Sequence, residues 1–312
     1  MHVRPRPRYP LPSTLDSYAR NTAIAYDHAG NDYLTYADGD PTRPFAFNGL
    51  YAYSDRRIWS LIDGMLVARR ASGAESVRIL DAGCGPGTWL RRVVARAHAL
   101  GFPAVTARGF DIADAQVLRA RQLAVDLARL PGVDFTFEVA DLTRPLAEAD
   151  AGIDISLCLY TVLNHLPPTC LPSVVAELAR VTAGYFVATV RAAGSTPTIY
   201  VDTIERARHF RQDHGADRLD IELHSGRRIA VGSHLFTADE LRMLAAPHFA
   251  VEDLLGLDLF HSRFAADPRW NPASPPASDQ IDSELERLEE TYAHDADFMD
   301  RAAHLLLVAR PK

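Results

Sequence analysis

The stretch RILDAGCGPGTW, residues Arg78 to Trp89, runs from an apolar segment through Asp81 into Gly83, Gly85 and Gly87. An apolar run of this length reads as a buried parallel strand, and such strands deliver ligand-binding loops at their carboxyl edge, where helix N-termini also point. Glycines there let the backbone approach a ligand closely and take torsions that a side chain forbids. The spacing is G-x-G-x-G, one residue short of the G-x-G-x-x-G of dinucleotide binders. The third glycine therefore no longer lies inside the first helical turn facing a pyrophosphate.

Outward from this loop the chain repeats strand, turn, helix. "VRIL" is followed by a helix from Thr88 to Leu100, stopped by Gly101 and Pro103. "VTARGF" precedes a helix from about Ala115 to Leu130, "VDFTFEVA" and "IDISLCLY" are further strands, Ser173 offers a cap to the next helix, and "GYFVATV" is a fifth strand. This alternation predicts parallel pairing through right-handed crossovers, with helices on both sheet faces. Upstream, Ser54 and Asp55 offer capping oxygens to a helix whose Ile58, Leu61, Ile62 and Met65 share a face. After Arg191 the rhythm changes: "IYVDTIERARHFRQ" reads as helix, "RLDIELHSGRRIAV" as a hairpin, and Thr237 with Glu240 as a capping box. "FAVEDLLGLDLF" returns to strand, and a charged helix from about Ile281, which can meet a second copy of the chain, leads to a last strand, "HLLLVAR". Residues 1–75 then form an N-terminal arm and helical cover, and residues 76–312 one α/β domain with an insertion at about 192–235.

The strand ends carry acids. Asp111 ends the second strand, where a carboxylate accepts from both hydroxyls of a ribose; a helix N-cap is the alternative role for it. Asp141, beside the apolar Leu142, suits an adenine's amino group and ring face, and Asp81 suits a cationic amino group. One loop and three strand ends point to a nucleoside on a zwitterionic tail.

In these segments the chain resembles the class I S-adenosylmethionine-dependent methyltransferases that act on small molecules. "LDAGCGPGTW", "GFDIA", "VADLTRPL" and "DISLCLYTVLNHL" are similar to four ordered motifs of that family, over about Val77 to Val190. The resemblance implies a Rossmann-like fold, a seven-stranded, mostly parallel sheet with helices on both faces. It implies S-adenosyl-L-methionine as cofactor, leaving as S-adenosyl-L-homocysteine. Gly83, Cys84, Gly85 and Gly87 are then expected along its methionine part, with Asp81 at the amino group. Asp111 is expected on the ribose, Ile112 beside the adenine, Asp141 with Leu142 at the adenine edge, and a carbonyl of Leu159 or Tyr160 on the amino group.

For the transfer itself the protein has to align a nucleophile and remove water. His165 is the best-placed base for a hydroxyl or amine, although packing on the sheet rim is its plainer role. Tyr160 either orients the acceptor or packs over the cofactor. Tyr26, Tyr33 and Tyr36 can roof the site, with cation–π attraction to a sulfonium or amine. Arg191 can hold a carboxylate or phosphate, or else a salt bridge, and His234 and His261 are further base candidates. The base-methylating Asn/Asp-Pro-Pro-aromatic motif is missing, and Asn164 and His165 stand where a metal-dependent site needs carboxylates, so no metal is expected. The resulting expectation is methyl transfer by in-line displacement to a hydroxyl or amine of a small molecule in specialised metabolism. A cofactor-binding sensor or assembly protein, and a nicotinamide-dependent oxidoreductase, are the alternatives.

Composition narrows the partners. A net charge of −7 gives no general pull toward nucleic acid or anionic lipid. No window approaches a membrane span, "MHVRPRPRYP" lacks a signal peptide's apolar core, and Cys84, Cys158 and Cys170 show no CxxC pairing; these point to reduced thiols in a cytoplasmic protein.

Overall fold

Four strands whose carboxyl ends lie along one edge frame the centre of the molecule. A computed structural model describes residues 18–27, 45–47, 51–195, 207–261 and 279–312. The strands are β1 (Ser76–Ala82), β2 (Ala104–Asp111), β3 (Val133–Val139), β4 (Ile153–Cys158), β5 (Thr182–Arg191), β6 (Ala207–Asp213), β7 (Arg218–Leu223), β8 (Arg228–Gly232), β9 (Phe249–Leu257) and β10 (His304–Pro311). The helices are α1 (18–27), α2 (Ala52–Ala71), α3 (Thr88–Ala99), α4 (Asp114–Leu123), α5 (Leu171–Val181), α6 (Ala238–Ala245), α7 (Asp279–Tyr292) and α8 (Ala296–Met299).

Seven strands form one sheet in the order β3-β2-β1-β4-β5-β10-β9. Pairing among β1 to β5 is parallel, while β10 slots antiparallel between β5 and β9. Every residue of β4 is buried, as a central strand covered on both faces requires. One face packs Ile58, Leu66, Val93 and Val117 of α2, α3 and α4; the other packs Val174, Leu178 and Leu241 of α5 and α6. This is the Rossmann-like arrangement that the alternating pattern predicts.

The carboxyl edge holds the site, and the opposite edge holds the fold together. There Asp154 is buried, accepts from the Arg78 backbone N–H at 2.8 Å and guanidinium at 2.9 Å, and pairs with Arg69 at 3.0 Å. These contacts fasten the C-terminal end of α2 to β1 and β4.

Several sequence expectations are corrected by tertiary contacts. Ser54 and Asp55 do not cap α2, whose N-cap is Tyr51. Both side chains turn inward instead: Ser54 Oγ donates to Asp258 Oδ2 at 2.5 Å, and the Asp55 carboxylate accepts from the Tyr160 phenol. Long-range partners in a desolvated site outweigh a solvated cap. Ser173 likewise donates to the Cys170 carbonyl rather than capping α5. The helix expected through Leu130 ends at Leu123, and a short 3-10 turn over Leu127–Arg129 leads to Gly132, at φ 74°, and into β3. Finally, the segment read as helix up to Gln212 contains strand β6, because Gln212 and its neighbours pair with β7. Arg208 and Arg211 meet Glu222 and Asp220 across the strands, a pairing that local propensity does not encode. The hairpin β7–β8 and the Thr237 cap on the Glu240 N–H follow expectation.

β6, β7 and β8 form a separate three-stranded sheet, and α1 lies against it. A side chain at Gly232, on β8, would collide with the Tyr18 ring, while Tyr18 Oη donates to the Asp217 carbonyl at 3.2 Å. Gly232→Ala is therefore expected to push α1 away and cost about 1–3 kcal/mol, the scale of overpacking. Thermal unfolding of the variant against the parent checks this.

Candidate active site

The glycine loop does its work through backbone hydrogen bonds. Gly83 and Gly85 take φ of 78° and 51°, which turns the Gly83 and Cys84 N–H groups onto the Phe110 carbonyl at 2.8 and 2.9 Å. The loop is thus stitched to the end of β2. A side chain at Gly83 would also strike Val162. Gly87 plays a different part from the one expected: it is the left-handed N-cap of α3, with the Phe137 ring where a Cβ would go, and it does not line the cavity.

The cavity opens beside this loop, with about 1110 Å³ of empty space that includes its open mouth. The structure brings Asp81, Cys84, Gly85, Asp111, Ile112 and Asp141 to its wall, together with Leu142, Leu159 and Tyr160. Asp81 is 2% exposed, and its Oδ2 has no hydrogen-bond partner. Burial, with the Asp111 carboxylate nearby, pushes the Asp81 carboxyl up to about 7. Asp111 is also raised by burial, and its two oxygens accept from the Gly85 and Ala113 N–H groups, each at 2.9 Å. Those bonds hold the carboxylate at a fixed angle in the cavity wall. Asp141 Oδ1 accepts from the Thr143 N–H at 2.9 Å and hydroxyl at 2.8 Å, which shapes the turn carrying Leu142. Burial beside Asp81 and Asp111 holds the Cys84 thiol well above its ordinary range, so it stays protonated.

At the end of β4 the backbone is strained. Tyr160 and Thr161 have φ of 52° and 72°, a region that residues with side chains enter at a cost. The Tyr160 N–H donates to Thr189 Oγ1 at 2.6 Å, and its phenol donates to Asp55. Asp55 in turn lies 4.0 Å from the buried Arg92 guanidinium, which sits 4.8 Å from the ring centres of both Phe47 and Trp89. The N-terminal end of α2 therefore anchors this wall.

His165 is held at both ring nitrogens. Nδ1 lies 2.6 Å from the Gly232 carbonyl, which only accepts, so Nδ1 carries the hydrogen and Nε2 accepts from the Tyr26 phenol at 2.8 Å. Burial pushes the imidazole down to about 4 and keeps it neutral. Tyr26 belongs to α1, whose Ala19, Thr22 and Tyr26 all line the cavity. Asp27 accepts from the Ala115 N–H at 3.0 Å, and Gln116 donates to the Tyr26 carbonyl at 2.9 Å, which ties α1 to the start of α4. His165 thus links α1, the three-stranded sheet and the cavity.

Other candidates sit elsewhere. Arg191 is 4% exposed and does not line the cavity; its N–H donates to Asn164 Oδ1 at 2.9 Å, so the residue is part of the frame under the site. Its side chain faces inward because β5 is buried along this end. His234 bridges Asp217 at 2.9 Å and Glu240 at 2.8 Å, and His261 stacks on Tyr53 at 5.1 Å. Tyr33 and Tyr36 lie outside the described residues. Sequence reasoning missed Thr88 and Trp89, which line the cavity at the N-terminus of α3, and the wall residues Leu166 and Pro167. A threonine directly after the glycine loop was the available signal. Among the described residues no cluster of three or more His, Cys, Asp or Glu is placed to hold a metal, and no helix is long and apolar enough to cross a membrane.

Residues 79–184 match the family model described as a methyltransferase domain. Over these residues the chain is similar to a methyltransferase domain. The four motifs all lie within the matched residues. A search of curated proteins finds no match. Among solved structures, the [4+2]-cyclase SpnF is 17% identical with a TM-score of 0.53, covering 94% of this chain and 96% of that chain. PH0226 protein from Pyrococcus horikoshii OT3 is also 17% identical, at a TM-score of 0.48 over 86% of this chain and 95% of its own. Magnesium protoporphyrin IX methyltransferase from Synechocystis PCC 6803, solved with S-adenosylhomocysteine, is 15% identical at a TM-score of 0.45, over 89% and 96%. At such identities the SpnF likeness speaks for the fold of the methyltransferase domain and its surroundings.

Proposed function

We propose that this protein transfers a methyl group from S-adenosylmethionine to a hydroxyl or amine of a small-molecule acceptor. The observation that carries the reading is Asp81 Oδ2, a buried carboxylate oxygen without a partner on the wall of a cavity at the glycine loop. An orphaned anion of this kind fits a cationic amino group, and the flanking Asp111 fits a ribose. Ile112 and Leu142 supply apolar surface on either side of an adenine, and Thr88 and Trp89 at the start of α3 present a helix N-terminus to a carboxylate. S-adenosylmethionine, when bound, supplies a methyl group on a cationic sulfur. The chain's own residues bind, orient and exclude water: α1 covers the cavity, and Asp55 holds Tyr160 at the end where the reacting group belongs.

His165 acts here as a positioning residue. Its Nε2 lone pair is engaged by Tyr26, and its lowered basicity suits a fixed hydrogen-bond acceptor rather than a proton sink. The acceptor is small because α1, through Ala19, Thr22 and Tyr26, walls the cavity. The protein works without nucleic acid or metal, in the cytoplasm.

Calorimetric titration with S-adenosylhomocysteine and, separately, NAD tests the reading. Binding of the first and not the second is expected. Asp111→Ala should weaken S-adenosylhomocysteine binding by about 1.5–3 kcal/mol, the loss of a charge-assisted hydrogen bond, or roughly 10- to 150-fold in Kd. Undiminished affinity in that variant removes Asp111 from the ribose, and tight NAD binding overturns the methyl-transfer reading.

A further inference from the structure

The cavity wall carries three carboxylates, Asp81, Asp111 and Asp141, and among the described residues that line it none is lysine or arginine. Two buried arginines of the frame, Arg92 and Arg191, stand outside that lining. The Arg92 guanidinium packs against the Phe47 and Trp89 rings, 4.8 Å from each centre, and Arg191 donates to Ser195 Oγ at 3.2 Å. His165 on the wall is neutral, with Nδ1–H on the Gly232 carbonyl and Nε2 on the Tyr26 phenol. The described wall of this space, about 1110 Å³ with its mouth, is therefore made of acidic and neutral groups. An anionic acceptor such as a carboxylate or phosphate meets repulsion there from three acids and no counter-charge. Burial and the Asp111 carboxylate already push Asp81 up to about 7, so a further negative charge adds to a cost that the fold bears. A positively charged group is drawn in.

The transfer step separates the remaining classes. Carboxylates that stabilise a cationic sulfur oppose any reaction that erases its charge, because they then hold the ground state better than the transition state. Attack by a neutral amine keeps the charge. Its nitrogen lone pair forms the N–C bond, the C–S bond breaks with its electron pair left on sulfur, and the positive charge passes to nitrogen inside the same cavity. The methylated ammonium afterwards gives its proton to water. A hydroxyl has to lose its proton as the O–C bond forms, and that calls for a base. The groups on the wall are already committed. The His165 Nε2 lone pair faces Tyr26, the Tyr160 phenol donates to Asp55, and the Cys84 thiol donates to the Gly85 carbonyl at 3.6 Å. Asp111 accepts from two backbone N–H groups, and Asp141 Oδ1 accepts from the Thr143 N–H and hydroxyl.

We propose that the acceptor is an amine, taken into this acid-lined cavity in preference to hydroxyl-bearing or anionic molecules and methylated at nitrogen. The assignment rests on the methyl-transfer reading and narrows it to one class of nucleophile. The signal was invisible in sequence, because only the fold shows which of the chain's many arginines stay off the cavity wall.

Benzylamine, benzyl alcohol and benzoate are the probes, since they share a skeleton and differ in the nucleophile and its charge. Incubated with the full chain and S-adenosylmethionine, benzylamine is methylated at least ~10-fold faster than benzyl alcohol, and benzoate is left unmethylated, as read by mass spectrometry of the products. Binding gives a readout without turnover: titrated calorimetrically into the S-adenosylhomocysteine complex, benzylamine binds at least ~10-fold more tightly than benzoate. Ala19→Lys places an ammonium group on the α1 side of the cavity and reduces that preference at least ~10-fold. Thermal unfolding shows whether this variant folds, and the two measurements on the parent decide the matter if it does not. Methylation of benzyl alcohol or benzoate at the benzylamine rate or above, methylation of none of the three, a binding preference below tenfold, or an unchanged preference in folded Ala19→Lys overturns the amine assignment. A parent protein that does not bind S-adenosylhomocysteine overturns the methyl-transfer reading instead.

Discussion

Asp81→Ala is expected to raise the Kd for S-adenosylhomocysteine by about a hundredfold or more. A buried carboxylate facing a ligand's ammonium group leaves an unpaired buried charge when it is removed, a loss on the order of 3–5 kcal/mol. The same residue predicts a pH dependence. Asp81 is pushed up to about 7 in the free protein, and pairing with a cation requires its ionised form. Binding therefore releases a proton, and Kd should rise roughly tenfold per pH unit as pH falls below about 7, levelling off above it. Stability of the free protein runs the other way. Asp81 at about 7 and Asp258 at about 8 both lie above the ordinary carboxylate range, so the folded state holds protons that the unfolded chain gives up. Below about 6.5 the lowered imidazoles of His165 and His304 oppose this, because the unfolded chain then binds protons that the folded state refuses. The clean window is pH ~6.5–8, where unfolding free energy should fall as pH rises. Affinity that stays flat from pH 5 to 8 would take Asp81 away from the ligand's amino group.

Glu289→Ala should destabilise the protein by about 3–5 kcal/mol, the largest stability loss expected of a single substitution here. Glu289 is 0% exposed, on the inner face of α7. Its carboxylate accepts from three successive backbone N–H groups: Leu259 at 3.0 Å, Phe260 at 2.7 Å and His261 at 2.9 Å. Removing it strands three donors in a buried turn. That turn follows Asp258, which receives the Ser54 hydroxyl, and carries His261, which stacks on Tyr53. Loss of Glu289 should therefore loosen the start of α2 and, through Asp55, the Tyr160 wall. Urea unfolding measures the first effect. A loss below about 1 kcal/mol would show that water replaces the carboxylate without penalty.

What the sequence determined by itself is local. The G-x-G-x-G loop, the helix behind it and the acids closing β1, β2 and β3 were legible, because a strand, a torsion-demanding turn and a strand-end carboxylate are encoded by neighbouring residues. Asp81, Asp111, Asp141 and Leu142 all stand on the cavity wall. Tertiary structure alone decided the rest. Tyr160 meets Asp55 across 105 positions, and His165 meets Tyr26 across 139. Arg191 turned out to be framework, Gly87 a helix cap, and β6 a strand where the local pattern favoured helix. In each case a side chain or segment took a partner from a distant element, and no nearby residue names that partner.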